Sequence, residues 1–236
     1  MQQKHHYDLV VSLGANCSAA HNLRFRNMRP YSLPLDWVYI EDDQPIKWLV
    51  GAFKNKFMDF FQYENMKKMP ATNEHAIIYK DTVSGYLFPN HFTKTIQNET
   101  DFNVVAKKMK RRVERLFNKI DCAKNILFIL ASAKPLDTNN ILSLQKQFKT
   151  LYPTKQIDFE VLMFDAKENT DTTKNHIHIR TFERALNDYD FSKTNFEWAF
   201  LDEIDISDKP RKNTLKILSW KMFKRKYKME ISWKKI

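Results

Sequence analysis

The sequence predicts an α/β fold, a three-layer sandwich with a mostly parallel central sheet, an inserted β-hairpin and a basic C-terminal helix. Two observations carry this. Short apolar runs such as NILFILA and FEVLMF alternate with longer segments of helical hydrophobic spacing, as in sheets covered by helices on both faces. Hydrophobic residues make up 43% of the 236 positions and aromatics 14%, enough for a sizeable packed core.

The elements follow in order. Tyr7–Leu13 (YDLVVSL) reads as a buried strand that stops at Gly14. The segment after Asn16 places Cys17, Ala20, Leu23 and Phe25 near helical spacing, with Asn16 or Ser18 able to cap its start. Pro30, Ser32 and Pro34 mark an irregular stretch. Pro45–Phe61 has the pattern of an amphipathic helix with proline in its first turn. Residues 75–92 read as a hairpin around Thr82–Gly85. Val104–Ile120 is a basic amphipathic helix, Asn125–Ala131 a buried strand and Asn140–Leu151 a helix. Residues 157–164 and 176–182 are further strands, and 165–175 (DAKENTDTTKN) reads as an exposed loop between them. Residues 183–209 are acidic and mixed.

The net charge of +11 is uneven. Residues 210–236 hold ten Lys or Arg against one acid, Glu230, and so carry nine of those charges. This divides the chain into an α/β catalytic-type domain, 1–209, and a basic aromatic tail, 210–236. A basic segment with Trp220, Phe223, Tyr227 and Trp233 suits an anionic membrane surface, suits nucleic acid less well, and in the simplest reading is a solvated helix.

Several functions are excluded. The three glycines, Gly14, Gly51 and Gly85, are too far apart for a phosphate-cradling loop or a dinucleotide fingerprint. Two cysteines do not make a disulfide framework, and no apolar run has the length of a membrane span. The start, MQQKHHYDLVV, has no secretory pattern. The expectation is a cytoplasmic protein with reduced thiols, peripheral on the inner membrane where the tail engages it.

The chemistry concentrates in SLGANCSAA. A strand runs into a glycine, then a cysteine, then a helix, and ligands of open α/β sheets bind beyond the carboxyl ends of strands. The free N–H groups and positive end of the helix favour a Cys17 thiolate and an oxyanion formed beside it. Gly14 permits the turn and a close substrate approach. Asn16 and Ser18 flank the sulfur. Cys122, between a helix and a strand, has no such setting. The competing reading of Cys17 is a small buried core residue.

SLGANCSAAHNLRFRNMRPYSLPLDWV resembles the opening motif of a bacterial and viral family of unknown function that carries the label of papain-like cysteine peptidases. Its pattern is a strand ending in SLG, an N-C pair, an L-R pair and a P-[FL]-D-W turn. FPNHF resembles a later family segment, here without an acid after His91, and KMKRRVERLFNKI resembles its paired-arginine helix. The likeness spans residues 7–131. It implies Cys17 as nucleophile, His91 as its base and Asp36 as a third polar member. A base takes the thiol proton and returns it to the leaving group, and a carboxylate on the other ring nitrogen holds the imidazolium. Asp36 reads equally well as a turn residue of PLDW.

The substrate-binding candidates are Gly14, Asn16, Ser18, Arg24, Trp37 and Arg112. Arg24, Arg111 and Arg112 suit a phosphate or carboxylate. Arg111 and Arg112 are adjacent and point to different parts of the helix, with Arg112 the one expected to face the site. Trp37 reads as an anchor of its loop as much as a substrate contact. His176 and His178 share a strand face but have no third ligand spaced nearby, and the acids 202–208 lack a calcium-loop pattern, so no metal is expected.

Three functions remain. The first is a thiol hydrolase or transferase acting on acyl or amide bonds of a peptide, with no cofactor. The second keeps Cys17 but makes the protein a surface-glycan acyltransferase or an SGNH-like esterase at the inner membrane face, with acyl-coenzyme A as the possible donor. The third is a non-catalytic module that binds a coenzyme or nucleotide.

Overall fold

The computed structural model describes residues 5–70, 76–89, 91–185 and 197–207. The tail 210–236 lies outside them, so the predicted C-terminal helix does too. A five-stranded sheet forms the centre. Its strands are β2 (Leu9–Ser12), β6 (Asn125–Ser132), β7 (Gln156–Met163), β9 (Ile177–Thr181) and β8 (Thr170–Lys174), in that order across the sheet. β2, β6, β7 and β9 are parallel, and β8 runs antiparallel at the edge. β1 (His5–Tyr7) pairs separately, in parallel, with β10 (Ile204–Ile206).

Side-chain alternation shows why both faces are covered. On β6, Ile126, Phe128 and Leu130 enter one core, and Leu127, Ile129 and Ala131 enter the other. The first core takes the apolar faces of α2 (Gln44–Lys54), α3 (Glu99–Cys122) and α4 (Thr138–Leu151). Phe53 of α2 sits at its centre, with ring centroids 5.9 Å from Phe117, 5.8 Å from Phe128 and 4.5 Å from Phe148. The second core takes Ala19 and Leu23 of α1 (Ser18–Phe25), with Trp198, Phe200 and Leu201 from the 3₁₀ turn near β10. The α/β sandwich is therefore as the sequence predicts.

The hairpin is present as β4 (Ile78–Asp81) and β5 (Leu87–Pro89), and β3 (Met66–Met69) adds a third antiparallel strand to it. Its turn is organised by buried Asp81, which accepts from the backbone N–H groups of Phe61 (2.9 Å) and Val83 (3.0 Å). Tyr39 pairs with Leu87 through two backbone hydrogen bonds of 3.0 and 2.9 Å, which ties β5 to the chain that follows the PLDW turn.

Three boundaries differ from expectation. α2 ends at Lys54, and Lys56, Phe57 and Phe61 take positive φ. Phe57, Phe60 and Phe61 are still buried, so a helical spacing of apolar residues persists where no helix does. α3 starts earlier, at Glu99, because Asn98 caps it by accepting from the Asp101 N–H at 3.0 Å. The predicted loop 165–175 contains β8, a mostly exposed threonine-rich edge strand whose polarity hides it. Among the described residues no helix is long and apolar enough to cross a membrane.

Candidate active site

The site begins where β2 ends. Leu13 continues the ladder to β6, donating to the Ile129 carbonyl at 2.8 Å. Gly14 (φ +79°) and Ala15 (φ +70°) then turn the chain through the left-handed region, which is costly for alanine. The turn is also crowded. A Cβ on Gly14 would lie 2.5 Å from Val38 Cγ2 and 3.3 Å from the Leu35 carbonyl oxygen. Glycine is therefore required because the PLDW turn packs directly upon it, which leaves no room there for substrate. Tyr86 locks the same turn by donating its phenol to the Leu13 carbonyl at 2.8 Å.

Asn16 is fully buried, and its Oδ1 accepts from the Ser18 N–H at 2.8 Å. It shapes the turn into α1, and Cys17 occupies the N-cap of that helix. The Ser18 hydroxyl is buried and has no hydrogen-bond partner among the described residues. Cys17 is 8% exposed, and its Sγ lies 3.0 Å from the Tyr39 phenolic oxygen. Cys122, by contrast, is exposed at the end of α3. Accessibility thus favours Cys122, whereas the polar setting and helix start favour Cys17. Tyr39 is a site residue that the sequence reading missed, and its place after PLDW was the available signal.

His91 follows β5. Its Nδ1 lies 3.0 Å from the Pro89 carbonyl oxygen. A carbonyl can only accept, so Nδ1 carries the proton and Nε2 is left as a lone-pair acceptor. That Nε2 is buried with no partner among the described residues. Burial first, with the charge of Arg112 adding to it, pushes the imidazole pKa down to about 4. His91 is a neutral base at physiological pH.

Asp36 does not occupy the expected triad position. Its carboxylate accepts from the Leu33 N–H at 2.7 Å and pairs with Arg29 Nε at 3.0 Å, and a backbone carbonyl fills the place on the His91 ring. Burial pushes the Asp36 pKa up to about 6 against the pull of Arg29. The physical reason for the pairing is that a carboxylate 1% exposed requires a cation and donors of its own. Arg29 also lies over the Trp37 ring at 5.1 Å, which makes Trp37 a platform for this pair.

Arg112 is half-buried on the inner side of α3, where its charge acts on both Asp36 and His91, and Arg111 beside it is exposed. Arg24 is exposed on the last turn of α1. A cleft along β2 is lined by Leu9, Val10, Met28, Arg29, Tyr31 and Asp36 among others, and neither Cys17 nor His91 lines it. His176 sits in the turn before β9 with Asp158 at 2.7 Å, and His178 on β9 meets Glu160 and Asp171. His176 lies outside β9, and the carboxylates that the two histidines meet on β7, Asp158 and Glu160, are two residues apart and share one face of that strand.

With that geometry in place, comparison with known proteins is decisive on kinship. The family model described as "Putative papain-like cysteine peptidase (DUF1796)" matches residues 8–169. The chain belongs to this family. The match takes in Cys17, Tyr39, His91 and Arg112. A relative from Acanthamoeba polyphaga mimivirus, "Uncharacterized protein R408", is 27% identical over 143 residues, covering 54% of this chain and 63% of that protein. The chain thus spans less than two thirds of the length of this curated relative. No solved structure matches it. In this member Cys17 lies on a strand–turn–helix element of a parallel sheet.

Proposed function

We propose that this chain is a cysteine-nucleophile enzyme that cleaves amide or acyl bonds, with Cys17 as nucleophile and His91 as base. One observation carries the reading. The Cys17 sulfur sits at the start of a helix fed by a central strand, 3.0 Å from the phenol of Tyr39. Helix start and phenol both stabilise a thiolate, the reactive form. Among the described residues His91 Nε2 makes no hydrogen bond to the Cys17 sulfur, so the ring must move onto it; Nε2 then removes the thiol proton and the sulfur bonds to the substrate carbonyl carbon. The C–N or C–O bond then breaks, and the leaving group departs with the proton held by His91. Water attacks the resulting thioester in a hydrolase, and an acceptor hydroxyl or amine does so in a transferase. The family label favours a peptide substrate. The basic segment 210–236 would bring the enzyme to anionic membrane surfaces.

The test is release of new amines from a peptide library by the full chain, with Cys17→Ser and His91→Gln as variants. Release by the wild type and loss in both variants is the expected result. Release that survives in Cys17→Ser rejects the reading.

A further inference from the structure

The basic groups beside His91 outnumber the acids that face them. Arg112 of α3 feels Asp36, Arg29 and Arg115, Arg29 also feels Arg24, and Asp36 is the carboxylate that Arg29 and Arg112 share. Arg115 is engaged, since its Nη1 donates to the Ser32 carbonyl at 2.8 Å. Arg29 is only partly engaged. Its Nε pairs with Asp36 and its Nη2 donates to Ser32 Oγ at 2.7 Å, but its Nη1 is buried without a partner among the described residues. Arg112 itself makes no hydrogen bond and no close ion pair among those residues, although it is half-buried. A buried guanidinium nitrogen left without a partner, as at Arg29 Nη1, is costly. Like charges placed together add to that cost. Such a cluster is stable when an anion completes it.

We infer that Arg112 and the free Nη1 edge of Arg29 form an oxyanion-group site beside His91, and that the substrate is an acyl compound bearing a carboxylate or phosphate. The location rests on Arg29 and Arg115, which both bond Ser32, with Arg112 one turn from Arg115 on α3, and the identification of the anion as part of a substrate rests on the thiol-enzyme reading above. Guanidinium forks match both groups in shape, so the shared chemistry is a planar or tetrahedral oxyanion. The arrangement also links binding to chemistry. Among the described residues the charged group acting on His91 is Arg112, and the Phe88 ring and the Pro89 carbonyl face the imidazole from its own segment. An anion that neutralises Arg112 restores proton affinity to His91, which strengthens it as a base once substrate is bound.

The experiment titrates the full chain with phosphate and, separately, with succinate, against chloride at matched ionic strength. Thermal unfolding and the NMR titration of His91 are the readouts. We expect one of the two anions to raise Tm and to move the His91 midpoint upward. In Arg112→Gln the affinity for that anion should fall about tenfold or more, and in Arg112→Lys and Arg111→Gln much of it should remain. Whichever anion acts names the group. Equal stabilisation in wild type and Arg112→Gln, or no effect of either anion beyond chloride, overturns the inference. The same titration in Cys17→Ala keeps the two readings apart, because anion binding is expected to persist there whether or not Cys17 is the nucleophile.

Discussion

The Sγ of Cys17 lies 3.0 Å from the phenolic oxygen of Tyr39, and the Tyr39 backbone is in turn paired with Leu87 of β5. The hairpin is thereby fastened to the turn that presents the sulfur. A phenol that donates to a thiolate favours the charged form, so removing it raises the thiol pKa. Tyr39→Phe is expected to shift the Cys17 alkylation profile with iodoacetamide upward in pH. The profile is read by mass spectrometry in a Cys122→Ser background, because Cys122 is exposed and would otherwise dominate the label. An unchanged midpoint would mean that the phenol accepts from the thiol and gives the thiolate nothing.

Gly14→Ala should damage the fold before it touches the chemistry. The new methyl would meet Val38 Cγ2 at 2.5 Å in a residue with φ of +79°. Left-handed strain and overpacking together predict a loss of roughly 2–5 kcal/mol in urea unfolding. Val38→Ala added to that variant removes the clash and not the strain, so it should recover part of the loss. Full recovery or none would each contradict this division.

His91 gives the stability a pH dependence of known sign. Its folded pKa is about 4 and its ordinary value 6.5, so between these values the unfolded chain binds more protons. Stability therefore rises with pH across that window and is lost as pH falls through it, by about 3 kcal/mol in all. Asp36 acts in the opposite sense between 3.8 and about 6, because burial makes the folded state the tighter proton binder there. The His91 contribution is isolated by subtraction. Because the Asp36 contribution is common to both proteins, the stability of His91→Gln relative to wild type should grow as pH falls from about 6.5 to 4, in unfolding curves measured from pH 4 to 7. Parallel curves would show that His91 is not buried as a neutral base.

Much of this was legible in the chain because the relevant signals are local. β6 is a continuous apolar run and both of its faces are covered, as such runs require. The Gly14–Cys17 turn was visible as a glycine and a cysteine between a strand and a helix. The end of α2 was hidden because Phe57, Phe60 and Phe61 keep helical spacing while serving a loop core. The Asp36–Arg29 pair was hidden for a different reason. Six residues of irregular chain lie between its members, and no periodicity relates them. A sequence shows that an aspartate and a histidine are present, and only burial decides which cation or ring the carboxylate must serve.

That choice has a direct consequence for Asp36→Asn. The asparagine oxygen can still accept from the Leu33 N–H, but the Arg29 cation loses its counter-charge in a buried setting. Breaking such a pair costs about 3–5 kcal/mol, so the variant is expected to lose stability by that order in urea unfolding. If Asp36 instead oriented the catalytic imidazole, the folded variant would keep its stability and lose turnover by several orders of magnitude. The double variant Arg29→Gln/Asp36→Asn separates the two, because it removes the stranded cation. It should regain part of the lost stability, and Cys17 alkylation in it should run near the wild-type rate, since neither residue touches the sulfur or the Nδ1 of His91. Slow alkylation in a stable double variant would return Asp36 to the reacting centre.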